Sequence, residues 1–419
     1  MKLHQAVSIH PPLIGLRGQI TPPGSKSITN RALLLASLAR GTSRLTGALA
    51  SDDTLYMAEA LRQMGVTVFQ DDRTTFTITG NGKLLPPAGP LFLGNAGTAM
   101  RFLTAAAAAV DGPVIVDGDE HMRRRPIGAL VSAIKALGVD VSDSSGYPPV
   151  SIHGTGGFPK EQVEIDGTLS SQFVSAIMMA AACSGKPLDI VVSGADIGGR
   201  GYIDITLSVM AAFGARIKAT GPTAWHVEPT GYEARNYVVE PDASAATYLW
   251  AAEKLTGGDI QLGIAPDKMS QPDAKAYEVI SMFPNIPPIV NGAQMQDAIP
   301  TLAVMSIFNN SPVRFTGISN LRVKECDRIS ALAMELSRIA PGLACEEGDD
   351  LIVTPDPALM GQSRQTDIRT YSDHRIAMSF ALAGLRIHGI KILDPYCVSK
   401  TYPKYWDDLA SVGVQLGFE

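Results

Sequence analysis

Two cations and three hydroxyls crowd the stretch Pro23-Gly24-Ser25-Lys26-Ser27-Ile28-Thr29-Asn30-Arg31, a composition suited to holding a phosphorylated small molecule. Pro23-Gly24 marks a turn, and the apolar run at 32–39 is expected to form a buried helix ended by Gly41. A helix starting at Ser25 or Ser27 would set Lys26 and Arg31 about a turn apart, beside backbone N–H groups that lack intrahelical partners. The plain alternative is a hydroxyl-capped helix with two solvated cations. The stretch also lacks the glycine just before the lysine that a nucleotide-hydrolase phosphate loop requires. Any anion site here needs partners from elsewhere in the chain.

Several stretches offer them. Gly94-Asn95-Ala96-Gly97-Thr98 is a small-residue loop before the alanine-rich helix expected at 105–109, where backbone N–H groups and the Thr98 hydroxyl could approach an anion; a tight turn is the alternative. One of Arg123, Arg124 and Arg125 is expected to serve a site, the others being solvated surface. Ser170, Ser171 and Gln172 open an apolar helix at 173–181 with a cap hydroxyl and an amide donor. In the second half, Asp297 precedes the apolar segment 301–308, the usual place of a helix cap. Asn320-Leu321-Arg322-Val323-Lys324-Glu325-Cys326-Asp327-Arg328 is denser. If helical, it makes Lys324 and Arg328 i, i+4 neighbours, whose mild repulsion a bound anion would reverse. Asp373-His374-Arg375 precedes an apolar helix at 376–385, and Lys400 lies near the end of the chain. Each reads alone as surface; together they place cations beside helix starts in both halves of an acidic chain.

The elements that must position these groups recur. An apolar-periodic helix, a glycine and a short β-branched run appear at Gly65, Gly138 and Gly214 at near-regular intervals, and more loosely at Gly342 and Gly413, with Phe283-Pro284-Asn285 a degenerate copy. Six α/β units, three per half, is the economical account, with a hinge at 236–242 before a new helix at 243–255. A chain of 419 residues exceeds the size at which one core keeps growing, and 45% hydrophobic content suffices for two. The formal charge of −6 confines any positive field to a pocket, which favours a small anionic ligand and disfavours nucleic acid. No apolar stretch reaches membrane-spanning length and no signal-peptide core is present near Met1, so a soluble, cytoplasmic protein with no membrane association is expected. Cys183, Cys326, Cys345 and Cys397 show no C-x-x-C spacing, which argues against a zinc site or a disulfide framework.

From about Leu13 to Tyr405 the chain resembles the 5-enolpyruvylshikimate-3-phosphate synthase family of enolpyruvyl transferases. The motifs that carry the resemblance are P-P-G-S-K-S-I-T-N-R, L-G-N-A-G-T-A-M-R, R-R-P-I-G, S-S-Q-F, Y-I-D-I-T, R-V-K-E-C-D-R, D-H-R-I-A-M and S-K-T-Y-P. The resemblance implies an α/β (α+β) fold of two domains, each of three βαβαββ units, with the active site in the interdomain cleft. Residues 21–239 would form one domain, and residues 1–20 plus 240–419 the other. It implies that Ser27, Arg31, Ser170, Ser171, Tyr202, Asp297, Asn320 and Lys324 hold shikimate-3-phosphate. Lys26, Gly97, Arg125, Gln172, Arg328, Arg375 and Lys400 would hold phosphoenolpyruvate, with Asn95 also at the site. Asp297 would be the base for the substrate hydroxyl. Glu325 would carry the methyl proton, and Lys26 would stabilise the departing phosphate or share the proton transfer. No metal or other cofactor is implied, a monomer is expected, and glyphosate is implied as an inhibitor at the phosphoenolpyruvate position.

Two residues depart from the family pattern. A glycine in Gly198-Gly199-Arg200 stands where many members place a serine that contacts the shikimate phosphate, so backbone N–H groups or Arg200 are expected to substitute. Phe102 stands where many members have proline, so the phosphoenolpyruvate pocket is expected to be shifted. Two alternatives are the sister transferase acting on UDP-N-acetylglucosamine and a catalytically silent anion-binding homologue. The sister family's reactive N-terminal cysteine has no counterpart here except Cys183, which lies in an apolar run. An RNA phosphate-terminus enzyme built from related repeats is a distant third.

Overall fold

The computed structural model describes residues 5–194, 197 and 199–419. The chain divides into two compact units, Gly24–Glu240 and a second made of Met1–Pro23 with Pro241–Glu419. Each unit has its own hydrophobic core. In Gly24–Glu240 the helices are α1 (Lys26–Leu38), α2 (Asp52–Gln63), α3 (Gly97–Ala106), α4 (Gly128–Ala136), α5 (Ser171–Ala181) and α6 (Gly201–Ala212). The second unit holds α7 (Ala243–Thr256), α8 (Ala276–Ser281), α9 (Ile299–Ser306), α10 (Arg328–Ile339), α11 (His374–Gly384) and α12 (Tyr405–Ser411).

One sheet pattern repeats through both units: a first strand pairs parallel with a second, which pairs antiparallel with the fourth, and the third lies at the edge. Gln162–Asp166, Leu188–Ser193, Ala224–Val227 and Ile217–Gly221 follow it in that spatial order. So do Leu91–Phe92, Asp111–Asp117, Tyr147–Thr155 and Asp140–Ser144. In the second unit, Ile289–Asn291, Val313–Thr316, Asp350–Val353 and Ala344–Glu347 do the same. Helices separate the first three strands, so each sheet with its helices is a βαβαββ unit. The recurrent glycine lies after the second helix of its repeat. At Gly65, Gly138, Gly214, Gly342 and Gly413 φ is between 85° and 111°, a backbone state that side chains with a Cβ resist, and it turns the chain into the third strand.

The remaining sheets take strands from remote parts of the chain. Ala39–Thr46, Phe76–Asn81 and Thr67–Gln70 receive their parallel neighbours from Tyr232–Glu233 and Asn236–Val238. Ser363–Ile368, His388–Leu393 and Gln415–Phe418 are completed by Ala6–His10, which pairs on both its edges. Arg17–Gln19 pairs with Asp259–Gln261 in a two-stranded remnant of the same plan.

Four local expectations need correction. Helix α1 ends at Leu38 and runs straight into a strand that contains Gly41, so the glycine is a strand residue opposite Gly80 rather than a helix stop. The alanine-rich helix begins earlier, at Gly97, and 107–109 is a 3-10 turn. Lys324 and Arg328 do not share a helix: 319–323 is a 3-10 turn, and α10 starts at Arg328 because the Asp327 carboxylate accepts from Ser330 N. Helix α11 likewise starts at His374, capped by Asp373.

Candidate active site

In Gly24–Glu240, the Ser25 hydroxyl caps α1 by accepting from Ile28 N, so Lys26 is the first helical residue. Its ammonium lies 3.5 Å from the buried Asp53 carboxylate at the start of α2. Arg31 takes different partners. Its guanidinium donates to Thr206 Oγ1 (2.8 Å), Ser175 Oγ (3.2 Å) and the carbonyls of Ser27 (2.9 Å) and Tyr202 (3.2 Å), and so ties α1 to α5 and α6. Burial lowers its pKa to about 10, still charged at neutral pH. Phe102, fully buried on α3, faces this guanidinium with its ring centroid 5.0 Å away, a cation–π contact. The residue that departs from the family pattern is thus packed against Arg31.

Helix α3 begins at Gly97, and the space a side chain would fill there is taken by two arginines. A Cβ at Gly97 would come within 2.7 Å of Arg101 Nη1 and of Arg125 Nη2. Arg125 donates to the Asn95 carbonyl (3.3 Å) and Asn95 Oδ1 (3.0 Å), while Arg101 donates to the carbonyls of Gly97 (3.0 Å) and Pro126 (3.1 Å). Of the three consecutive arginines only Arg125 is buried; Arg124 is exposed and Arg123 pairs with Asp117 at the surface. Ser170 caps α5 by accepting from Gln172 N, Ser171 is its first residue, and Gln172 Nε2 lies 3.5 Å from Thr98 Oγ1 on α3. Tyr202 is in the first turn of α6, half-buried, and Gly199 lies in the turn before it with φ 69°. The Arg200 guanidinium donates to the Pro222 carbonyl at 2.6 Å. Gly198 lies outside the described residues.

In the second unit a compact set of charges gathers around Arg328, the first residue of α10 and 1% exposed. Its Nη1 meets Asp297 at 3.0 Å, its Nη2 meets Glu325 at 2.7 Å, and its Nε meets Asp373 at 2.7 Å. Arg375 Nη2 takes the other Asp297 oxygen at 2.7 Å, and Arg375 Nη1 donates to the Tyr248 hydroxyl at 3.3 Å. Lys400 approaches Glu325 at 3.9 Å. Burial alone would lower the pKa of Arg328, but Asp373, Glu325 and Asp297 outweigh it and hold it raised. The same balance raises Arg375, with Asp297, Tyr248, Asp242 and Asp273 opposing the burial. Asp297 is therefore no helix cap: it sits in the 3-10 turn Gln296–Ala298 ahead of α9, and its carboxylate bridges two guanidiniums. Asn320 is buried in the neighbouring 3-10 turn, where its amide donates to Gln296 Oε1, and Lys324, half-buried, closes that turn.

The structure thus brings Asp297, Glu325, Arg328, Arg375 and Lys400 together, and separately Asn95, Gly97 and Arg125. Two carboxylates escaped the sequence reading, Asp53 beside Lys26 and Asp373 beside Arg328. Asp373 has a local signal for its cap role, an acid just before an apolar helix; its ion pair with a residue 45 positions away has none. Chemically, the cluster offers carboxylates held by cations, fit to exchange protons, and guanidiniums fit to bind carboxylate or phosphate oxygens.

The family model for EPSP synthase (3-phosphoshikimate 1-carboxyvinyltransferase) matches residues 13–283 and 274–409. The 3-phosphoshikimate 1-carboxyvinyltransferase of Rhizobium leguminosarum bv. trifolii is 64% identical over 408 residues, 97% of each chain. That of Pseudomonas savastanoi pv. phaseolicola is 62% identical over 401 residues, 96% of each. Among solved structures, an EPSP synthase from Acinetobacter baumannii superposes with a TM-score of 0.78 at 25% identity, covering 99% of this chain and 100% of its own. The fold is that of the enolpyruvyl transferases, one of which, NikO from Streptomyces tendae, superposes with a TM-score of 0.76 at 16% identity over 99% of each chain. Within that class the chain belongs to the EPSP synthase family.

Proposed function

We propose that the charged sets of the two units carry out the family's reaction by addition and elimination. The activity is transfer of the enolpyruvyl group of phosphoenolpyruvate to the 5-hydroxyl of shikimate-3-phosphate with release of phosphate, a step of aromatic amino acid biosynthesis. The observation that carries the assignment of roles is the single carboxylate of Asp297 held between Arg328 and Arg375, with Glu325 on the other terminal nitrogen of Arg328.

Asp297 accepts the proton of the attacking hydroxyl as its oxygen bonds to C2 of phosphoenolpyruvate. Glu325 delivers a proton to C3 in the same step and takes one back when the tetrahedral intermediate expels phosphate. Arg328, Arg375 and Lys400 hold the phosphoenolpyruvate oxygens, joined by Arg125, Gln172 and the N–H groups beside Gly97. Lys26, paired with Asp53 in the free protein, stabilises the leaving phosphate. Ser27, Arg31, Ser170, Ser171, Tyr202, Asn320 and Lys324 hold shikimate-3-phosphate. Arg31 also ties α1 to α5 and α6 through the four hydrogen bonds its guanidinium makes to the protein. The reading includes a monomer acting in the cytoplasm and inhibition by glyphosate at the phosphoenolpyruvate position. Among the described residues no helix is long and apolar enough to cross a membrane.

The sister reaction on UDP-N-acetylglucosamine is not favoured: relatives 60–64% identical bear the shikimate name, and burial pushes the Cys183 thiol up to about 12, far from the thiolate that a reactive cysteine needs. The deciding assay is phosphate release from phosphoenolpyruvate with shikimate-3-phosphate, beside UDP-N-acetylglucosamine and a Lys26→Ala control. Release with shikimate-3-phosphate alone, lost in the control, is expected. Release with the nucleotide sugar instead would overturn the substrate, and none with either would mean a silent homologue.

A further inference from the structure

The helix that begins at Arg328 carries a buried carboxylate that the reaction does not use. Glu335, on α10 and fully buried, accepts at Oε1 from the Tyr371 phenol (2.6 Å) and at Oε2 from Arg369 N (3.1 Å). Arg338 braces it from the side, Nε at 3.0 Å and Nη2 at 3.3 Å. Its partners flank a turn of unusual backbone. Asp373 N donates to the Thr370 carbonyl at 2.8 Å, and the two residues between, Tyr371 and Ser372, have φ of 56° and 53°. Left-handed φ at both central positions is the pattern of a type I′ turn, which normally takes asparagine and glycine because other side chains resist it. A tyrosine and a serine hold that shape only when their surroundings impose it.

The turn delivers Asp373. Its Oδ1 accepts from Arg375 N (2.8 Å) and Arg328 Nη2 (3.2 Å), and its Oδ2 from Arg328 Nε (2.7 Å). One carboxylate thus orients the guanidinium of Arg328 and caps the helix that starts with Arg375's neighbour. We infer that Glu335, acting through the Tyr371 hydroxyl, is a positioning residue that holds the strained Tyr371–Ser372 turn and thereby aims Arg328 and Arg375 at the anionic donor substrate. Burial and the bond to Glu335 push the Tyr371 phenol up to about 12, so it stays a donor at any working pH. The inference rests on the proposed role of Arg328 and Arg375 in holding phosphoenolpyruvate.

Tyr371→Phe removes one oxygen and keeps the ring, so it tests the clamp with little risk to folding. Steady-state kinetics on the full chain are compared for wild type, Tyr371→Phe, Glu335→Gln and the double variant, each with its thermal midpoint. The expected result is a KM for phosphoenolpyruvate raised about tenfold in Tyr371→Phe, the size of one hydrogen bond to a charged group. KM for shikimate-3-phosphate should stay within about twofold, and the double variant should be no worse than Tyr371→Phe on phosphoenolpyruvate. An unchanged KM for phosphoenolpyruvate in Tyr371→Phe would overturn the inference alone. So would equal losses for both substrates that follow a lowered thermal midpoint, which mark a merely structural contact. A wild type that releases no phosphate would overturn the functional reading and this one with it.

Discussion

At the scale of single residues, Gly97 sets how closely two guanidiniums approach the start of α3. A methyl group there would lie 2.7 Å from Arg101 Nη1 and Arg125 Nη2, nearer than a carbon and a nitrogen can approach, so Arg125 must move. Gly97→Ala is expected to raise KM for phosphoenolpyruvate by about tenfold, the loss of one charge-assisted bond, while KM for shikimate-3-phosphate stays within about twofold. Initial-rate kinetics with each substrate varied would show it, and equal KM values for mutant and wild type would remove Arg125 from the donor site. Asp297→Asn keeps the shape between Arg328 and Arg375 but deletes the proton acceptor. The expected result is a kcat lower by about 10²–10⁴, with phosphoenolpyruvate bound no more weakly, because a negative charge beside the two arginines has gone. Calorimetric titration beside turnover separates the two effects, and an intact kcat would exclude Asp297 as the base. Gly97 was legible as part of a small-residue loop open to an anion, and Asp297 as an acid ahead of an apolar segment, read as a cap, with its role as base implied only by the family resemblance. The pairing of Lys26 with Asp53 and of Arg328 with Asp373 was not, because ion pairs between elements carry no local spacing signal.

At the scale of elements, an aspartate begins each of three helices in the second unit. Asp242 accepts from Ala245 N ahead of α7, Asp327 from Ser330 N ahead of α10, and Asp373 from Arg375 N ahead of α11. Asp327 fixes where α10 starts and hence where Arg328 points, which is why the expected helical pairing of Lys324 with Arg328 does not form. Asp327→Ala should destabilise the protein by about 1 kcal/mol, the usual worth of such a cap, whereas Asp327→Asn, which keeps the acceptor, should cost only tenths. Urea unfolding measures both; equal losses would assign the effect to the ion pair with Arg322 at 2.9 Å. A pH effect belongs to this scale too. On neighbouring strands Asp189 accepts from His226 at 2.7 Å, and this bond, then the nearby charges, raises the His226 pKa above 6.5. A raised folded-state pKa means the contribution is full below pH 6.5 and fades as pH climbs through the folded value. His226→Gln should therefore lower the thermal midpoint slightly at pH 5.5 and leave it unchanged at pH 8.5; a loss of equal size at both would mean packing rather than charge. The caps follow the pattern of an acid before an apolar run, but Asp297 follows it too and is not a cap; the strand contact was not legible, since register depends on partners far along the chain.

At the scale of the whole molecule, the repeats were legible because a left-handed glycine recurs at the same place in five of them, from Gly65 to Gly413, and its chemistry is local; the sixth copy, at Phe283-Pro284-Asn285, carries no glycine. The strands that finish the sheets were not legible, because Ala6–His10, Arg17–Gln19, Tyr232–Glu233 and Asn236–Val238 pair with segments remote in sequence. Ala6–His10 is decisive for one unit only. It lies between His388–Leu393 and Gln415–Phe418 and fills the hydrogen-bonding edges of both, while Val7 and Ile9 are buried in the core of that unit. Removing it would leave two strands with unpaired N–H and carbonyl groups that the core partly shields from water, a cost that no side-chain rearrangement offsets. The core of Gly24–Glu240 contains none of these residues. Deletion of residues 1–20 is therefore expected to abolish turnover and to remove one component of the heat-capacity profile, leaving the component of Gly24–Glu240 close to its original temperature. Differential scanning calorimetry of the full and shortened chains makes the comparison. If both components survived, Ala6–His10 would be dispensable to its sheet; if both vanished together, the two cores would stand or fall as one cooperative structure.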